Sequence, residues 1–424
     1  LVKSKKLHLI NDPIYGFISI SDPVIFRLIQ EPVFQRLRRI AQMGLSQLVY
    51  PGAQHSRFNH VLGCMHLTGR ILDALRLKGV RINDREYQSA LFASLLHDIG
   101  HGPYSHALEH EWVPGLNHER LGSLIIERLN VEYNGILDEA LDIYSGRHPR
   151  KFLNQILSGH LDADRLDYLK RDSYYCGVPE GSLNIERLIR IFDVVDDALV
   201  VLEKGVHSIE EFLMARRFMY WQVYLHKTSL VAEIYLKKAI RRARQLMMEG
   251  RELPGSPALE FFLRTHEQHP EGPELDKVYP NFLLLDDSDV LQALKMWKES
   301  SDPLLSYFST SVVDRKLPSI QWIGREEFDA GMDLNSERYA STSTRVRDLG
   351  IIDEELEHFF FLDAVKNSSY NTEVPEIRVL ISDGRLRLFS EVSEWFGQMR
   401  PGQIDQRYFR VCPKEDSGGT GAVK

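Results

Sequence analysis

Residues 87–98 read Tyr-Gln-Ser-Ala-Leu-Phe-Ala-Ser-Leu-Leu-His-Asp, a nearly unbroken apolar run that ends on a histidine beside an aspartate. A helix of that composition has no polar face to give to water, so the chain must wrap it on most sides with other apolar elements. An ionised carboxylate at the end of such a helix is costly unless it is paired, hydrogen-bonded or bound to a cation. Adjacent helical residues point about 100° apart. His97 and Asp98 can nevertheless both reach one ion sitting just off the helix end. Gly100, Gly102 and Pro103 then stop the helix, which predicts His101 and His106 on a loop at a cavity rim.

A lone buried histidine is usually a satisfied core residue. Here His97, Asp98, His101, His106 and His110 crowd into fourteen residues, which favours a ligand or catalytic role. The spacing is neither the HExxH of zinc proteases nor a CxxC zinc signature. A set of imidazoles and carboxylates suits a divalent ion, with Mn, Fe, Ni, Zn or Mg all compatible. Two further segments join it. His55-Ser56-Arg57-Phe58-Asn59-His60 precedes an apolar helix, and residues 160–172 are dense in Asp, Arg and Tyr. In the latter, Asp164, Tyr168 and Asp172 share one helical face, so one carboxylate can meet a metal and the other a hydroxylated ligand. The competing reading of this segment is an exposed acidic and basic helix with i,i+4 pairs, such as Asp167–Arg171.

Apolar spacing predicts further helices from Pro32, over 63–77, 121–129 and 185–194, and over 209–249 as two helices or one bent one. Glycine and proline break the pattern at 250–255. Residues 376–389 read as a hairpin, with Ile377, Val379 and Ile381 alternating into an Asp383-Gly384 turn and Leu386 and Leu388 alternating out. The expected class is mainly α, with a helical core over 1–250, a smaller α+β part over 251–414, and a disordered tail over 415–424.

No run of about eighteen apolar residues occurs, so no membrane partner is expected. Residues 1–10 lack the apolar core of a secretory signal, and three dispersed cysteines make no disulfide framework; both point to the cytoplasm. A net charge of −8 gives no bulk attraction for nucleic acid, although basic clusters at 36–39, 216–217 and 237–244 are available locally for phosphates.

The order His60, His97-Asp98, Asp164 resembles the H…HD…D pattern of the HD superfamily of metal-dependent phosphohydrolases. The words around it resemble the deoxynucleoside triphosphate triphosphohydrolase branch over roughly residues 10–232. They include Asn11-Asp12-Pro13-Ile14, Phe34-Gln35-Arg36-Leu37-Arg38, Arg57-Phe58-Asn59-His60, the His97 block and residues 162–172. The resemblance implies an HD helical core, with His60, His97, Asp98 and Asp164 as metal ligands. It implies His101 and His118 beside the scissile phosphate, and His106 and Glu109 orienting or tuning them. Arg57, Arg165 and Arg216 match residues that grip the triphosphate, while Gln42, Tyr168, Asp172 and Tyr224 match residues that line the sugar. Tyr224 stands where the family disfavours a 2′-hydroxyl. The implied reaction is attack of water on the α-phosphorus, releasing a deoxynucleoside and intact triphosphate.

The resemblance also implies a homo-oligomer, a dimer or tetramer, and a regulatory nucleotide pocket that Asn11, Gln35 and Arg38 match in part. Two departures matter. Arg165 replaces the lysine of some relatives, a fork in place of a point donor. Gln30 stands where guanine-activated relatives carry an acid, which removes the acceptor for guanine's N–H donors and argues against GTP as activator. Two rival readings are another HD phosphohydrolase, acting on a different nucleotide phosphoester or anhydride, and a nucleotide- or nucleic-acid-binding regulator with a vestigial site. All four ligand positions and both catalytic histidines are present, which favours an enzyme.

Overall fold

A computed structural model describes residues 7–113, 115–265, 273–333, 336–367, 376–398 and 405–412. These fall into two compact units, one drawn from 1–223, 266–287 and 368–403, the other from 224–265, 288–367 and 404–424. The expected tail at 415–424 lies outside the described residues. The protein is mainly helical, with a helical core and a small C-terminal sheet region. Among the described residues no helix is long and apolar enough to cross a membrane.

The first unit is built round the His60 helix, Arg57–Leu77, and the apolar helix, Asp84–Leu96. The apolar run predicts burial on most faces, and Ala90, Phe92, Ala93, Leu95 and Leu96 are each at most 2% exposed. Both helices begin on capping boxes, Ser56 with Asn59 and Asn83 with Glu86, which satisfy the orphan N–H groups of the first turn. The Asp164 helix, Ala163–Cys176, is capped by Asp162 and ends on Gly177 at φ 69°, a left-handed position open to glycine. Packing of this helix on the His60 helix brings the two ligand-bearing faces together.

An N-terminal hairpin, β1 (His8–Asp12) with β2 (Gly16–Ile20), lies in the same unit. The helix expected over 185–194 stops at Ile191, and β3 (Phe192–Val195) follows. The reason is local: Val194 and Val195 favour a pleated strand, and Asp196 and Asp197 both take positive φ, the geometry of a two-residue hairpin turn into β4 (Ala198–Leu202). The expected hairpin at 376–389 is present. Its strands, β7 (Arg378–Leu380) and β8 (Leu386–Leu388), run antiparallel, with Gly384 at φ 87° in the turn. β7 pairs in parallel with β4, so this late hairpin completes the sheet β3-β4-β7-β8 of the first unit.

The expected long helical stretch 209–249 is two helices, Val206–Met219 and Lys227–Met248, joined by a π turn at Tyr220–Tyr224. The second helix and Pro303–Val313 pack together in the second unit. That unit also carries a three-stranded sheet in which β9 (Asp405–Cys412) lies between β5 (Ser319–Ile323) and β6 (Phe361–Asn367).

Candidate active site

His60 stands in the first turn of its helix, His97 caps the end of the apolar helix, Asp98 follows it, and Asp164 opens the next helix. Their ligand atoms converge. His60 Nε2 lies 3.0 Å from Asp164 Oδ1 and 3.6 Å from Asp98 Oδ2; His97 Nε2 lies 3.4 Å from Asp98 Oδ1 and 3.7 Å from Asp164 Oδ1. Donors on one ion with bonds of about 2.1 Å stand roughly 3.0–3.4 Å apart, so this spread needs only slight contraction.

Both rings are held in the tautomer a metal needs. His60 Nδ1 faces Asp167 Oδ2 at 2.8 Å and His97 Nδ1 faces the Ser94 carbonyl at 2.8 Å; both oxygens accept, which makes Nδ1 the donor and leaves Nε2 as the nitrogen turned toward the cluster, where a cation would displace any proton it carries. His97 Nε2 is buried without a hydrogen-bond partner, an unpaid-for burial unless a cation sits there. The residues present therefore fit a divalent ion. Cys64 also reaches this group, its Sγ 3.5 Å from both nitrogens of His60. Burial pushes its pKa well up, so it remains a thiol packed under the ring.

Asp98 is fully ionised. Burial opposes its charge, but Arg57, His97 and His101 outweigh burial and hold its carboxyl well below the usual range. Arg57 donates to Asp98 through Nη1 and to Ser105 Oγ through Nε at 2.9 Å. Asp164 is held low in the same way, against burial, by His60 and His97.

The second cluster adjoins the first. His101 lies on a loop as expected but is 2% exposed, not at a rim. The glycines explain the difference. A Cβ on Gly100 would collide with the His118 carbonyl and Gly122, and one on Gly102 would press on Trp112, so their absence lets the loop fold against the helix His118–Glu132. This stacks the His101 and His118 rings, with centroids 4.0 Å apart at 30°. Glu109 holds His118 twice, accepting from its backbone N–H at 2.9 Å and its Nδ1, and accepts from His106 Nδ1 at 3.2 Å. Burial, then Arg57, pushes His101 well below the usual histidine range; it is a neutral imidazole. His106 is exposed and half-encloses the stacked pair.

A cavity of about 550 Å³ opens on these groups, lined among others by His97, Asp98, His118, Arg120, Tyr144 and Asp164. On the Asp164 helix, Arg165 donates to Asp162, Tyr168 faces the charges of Arg216 and Arg165, and Asp172 accepts from His55 Nε2 at 2.7 Å. Arg216 is buried, 5.8 Å from the Tyr220 ring centroid. Gln42 donates its backbone N–H to the His55 carbonyl. Tyr224 is the last residue of the π turn and the first of the second unit. Asn11 lies exposed in β1, while Arg38 donates to Gln35 Oε1 at 2.9 Å and lies over the Phe58 ring.

Several working residues escaped the sequence reading. Asp167 and Arg171 are fully buried rather than a surface pair: Arg171 grips Asp167 at 2.8 and 2.9 Å and Asp12 at 2.8 Å. The signal was Gly63, opposite them on the His60 helix, where any Cβ would collide with the Asp167 carboxylate. Arg36 donates to the carbonyls of His101 and Leu285, and Asp287 accepts from the N–H groups of Ala41 and Tyr104 at 2.8 Å each. Burial pushes Asp287 up to about 6.

An HD-domain model matches residues 57–172 and an HD-associated-region model matches 183–253. The chain is similar to the uncharacterized protein YwfO of Bacillus subtilis, at 34% identity over 77% of this chain and 74% of that one. It is also similar to the deoxynucleoside triphosphate triphosphohydrolase SAMHD1 homolog of Dictyostelium discoideum, at 32% identity over 64% of this chain and 57% of that one. A crystal structure of a phosphohydrolase from Bacteroides thetaiotaomicron superposes with a TM-score of 0.87 at 39% identity, covering 97% of this chain and all of that one. With the H…HD…D residues assembled as a divalent-metal site inside the matched segment, the chain belongs to the HD-domain family of phosphohydrolases.

Proposed function

We propose that this chain hydrolyses deoxynucleoside triphosphates to the deoxynucleoside and inorganic triphosphate. The observation that carries the reading is the set of side chains beside Asp164: Arg165 next to it, Tyr168 one turn on, and Arg216 and Arg165 both acting electrostatically on the Tyr168 phenol. A polyphosphate attached to a sugar asks for that combination of paired cations and an aromatic edge, and relatives named as deoxynucleoside triphosphate triphosphohydrolases support it.

A divalent ion held by His60, His97, Asp98 and Asp164 would supply Lewis acidity toward the α-phosphate and toward water. Arg165 and Arg216 balance the charge of the phosphoryl oxygens, and Arg57 anchors Asp98. Water adds to the α-phosphorus, the bond to the 5′-oxygen breaks, and triphosphate departs. His118 gives its proton to the 5′-oxygen, with Glu109 fixing the ring. Asp172, fixed by His55, and Gln42 meet the sugar. The proposal includes a homo-oligomer in the cytoplasm with a nucleotide contact at Asn11, Gln35 and Arg38.

The test is ion-exchange analysis of products from each deoxynucleoside triphosphate, singly and mixed, with Mn²⁺ or Mg²⁺. Deoxynucleoside and intact triphosphate are expected. Orthophosphate or pyrophosphate as the product would move the reaction to another phosphorus. Failure to turn over any deoxynucleotide with metal bound would remove the substrate assignment.

A further inference from the structure

A second cavity, of about 580 Å³, lies within the first unit and shares Gly146, Asn154 and Ser158 with the one that opens on the metal ligands. The helix Lys151–Leu157 and the loop after it contribute wall to both. The pairing of β7 with β4 closes this second cavity, because it brings residues 376–378 and 388 alongside 198–201. Much of the lining is apolar, including Phe192, Leu199, Val201, Ile377 and Leu388.

Several polar groups of the lining are fixed at one end and available at the other. Gln155 Oε1 accepts from the Leu199 N–H at 2.7 Å, which leaves Nε2 to donate. Asn154 Nδ2 donates to the Ile143 carbonyl at 2.8 Å, which leaves Oδ1 to accept. Glu376 accepts from the Ser390 N–H at 2.7 Å through Oε1 alone. Lys151 and Arg378 complete the set, and among the described residues neither makes an ion pair. A cavity of this size, mostly apolar with a few oriented polar groups, has the make-up of a small-molecule site. An oriented donor and acceptor suit the edge of a flat heteroaromatic ring, the apolar wall suits its face, and two cations without counter-ions suit a phosphate. An acyl carboxylate would use the wall and the cations but leave both amides unmatched.

We propose that this cavity binds a nucleoside phosphate, with Asn154 and Gln155 on the base and Lys151 and Arg378 on the phosphate. The site is made within one chain and shares no residue with the contact at Asn11, Gln35 and Arg38. Its occupant rests on the loop that leads to the metal ligand Asp164. Ser158, Gly159 and Leu161 line the cavity, and a Cβ on Gly159 would collide with the Gln155 carbonyl. The Gly159 N–H donates to Asp162 Oδ2 at 2.7 Å. Asp162, fully buried, also accepts from the Arg165 backbone N–H at 2.7 Å and from its guanidinium. A ligand on the loop therefore acts on Arg165 through Asp162 and changes KM for the substrate more than kcat. That consequence rests on the reading of Arg165 as a triphosphate contact; the site itself does not.

The experiment titrates AMP, GMP, CMP and UMP into the whole chain by calorimetry, with inorganic phosphate and decanoate as comparison ligands. At least one nucleotide should bind at one per chain, in the wild type and equally in His97→Ala, where a metal ligand is missing. Lys151→Gln and Arg378→Gln change side chains that reach solvent, and each should weaken binding about 10-fold or more. No nucleotide binding, or binding indifferent to both charge changes, overturns the proposal. Tighter binding of decanoate or of inorganic phosphate than of any nucleotide overturns it as well. In steady-state assays a saturating monophosphate should move KM for the deoxynucleoside triphosphate about 5-fold or more in the wild type and not in Arg378→Gln. A bound nucleotide without that shift removes the coupling through Asp162 and leaves the site standing.

Discussion

Replacing Asp167 by Asn should damage stability and metal binding together, although Asp167 is not itself a ligand. Its carboxylate is completely buried and accepts from His60 Nδ1 on one side and Arg171 on the other. Burial works against its charge, but Arg171 and the His60 hydrogen bond prevail and hold its pKa down at about 2, from an ordinary 3.8. A depression of that size is worth about 2–3 kcal/mol of folding stability at neutral pH. Breaking one side of a buried ion pair costs about 3–5 kcal/mol. Arg171 keeps Asp12 in the variant, which puts the loss near the lower end, about 3 kcal/mol. In a protein whose whole margin is about 5–15 kcal/mol, that is a large fraction.

The same substitution frees the His60 ring to flip its tautomer, which should weaken the tetrad ion about 10–100-fold. The sign with pH follows from the depressed pKa. The Asp167 contribution is complete above the unfolded value near 4 and disappears as pH falls through about 2, so the variant and wild type should converge in strong acid. Urea unfolding of the metal-free proteins at several pH values measures the first effect, and calorimetric Mn²⁺ titration the second. An Asp167→Asn protein with wild-type stability at pH 7 and wild-type metal affinity would refute the argument that this buried network sets the ligand.

His118→Ala should lower kcat about 10²–10⁴-fold with the tetrad's metal content unchanged, and a leaving group of low pKa should restore part of the rate; a loss confined to KM would remove the proton-donor role. Arg120 lines the cavity two residues beyond His118, and Arg120→Ala should raise KM for the triphosphate about 5–10-fold at nearly constant kcat, read from steady-state kinetics at two salt concentrations. Asp287→Ala strips the acceptor from two loop N–H groups and should cost about 1–3 kcal/mol in denaturant, with kcat falling because the His101–His106 loop loses its anchor. Gly100→Ala should destabilise by about 1–3 kcal/mol and separate His101 from His118; retained activity and stability would show that the close approach to the His118 carbonyl is not needed.

The convergence of His60, His97, Asp98 and Asp164 was legible because metal chemistry constrains residue type and order locally. A buried helix that ends in His97 and Asp98 is expensive enough to announce a cation. The supports were not legible, because their partners are remote in sequence. Nothing near Asp287 indicates Ala41 and Tyr104, and Arg36 reads as one cation of a basic cluster until its guanidinium is found on the carbonyls of His101 and Leu285. Residue spacing likewise overran at 185–194, where apolar periodicity is shared by a short helix and the strand that follows.

The Asp167–Arg171 pair shows why i,i+4 spacing alone misleads. The same two residues on an exposed helix would contribute a few tenths of a kcal/mol. Here Gly63 removes the side chain that would otherwise cover them, the His60 helix closes over the gap, and the pair becomes the middle of a buried ladder, Asp12–Arg171–Asp167–His60. Each rung depends on the next. Arg171 is unaffordable in that interior without both carboxylates, and Asp167 without Arg171 would be pushed toward the neutral form by burial and would lose its hold on His60. Asp12 in turn accepts from the backbone of Ile14 and Tyr15, so the ladder also fixes the turn of a two-stranded hairpin too small to be stable alone. One glycine on the ligand-bearing helix thus decides both how the first metal ligand is oriented and where the N-terminal hairpin is tied down.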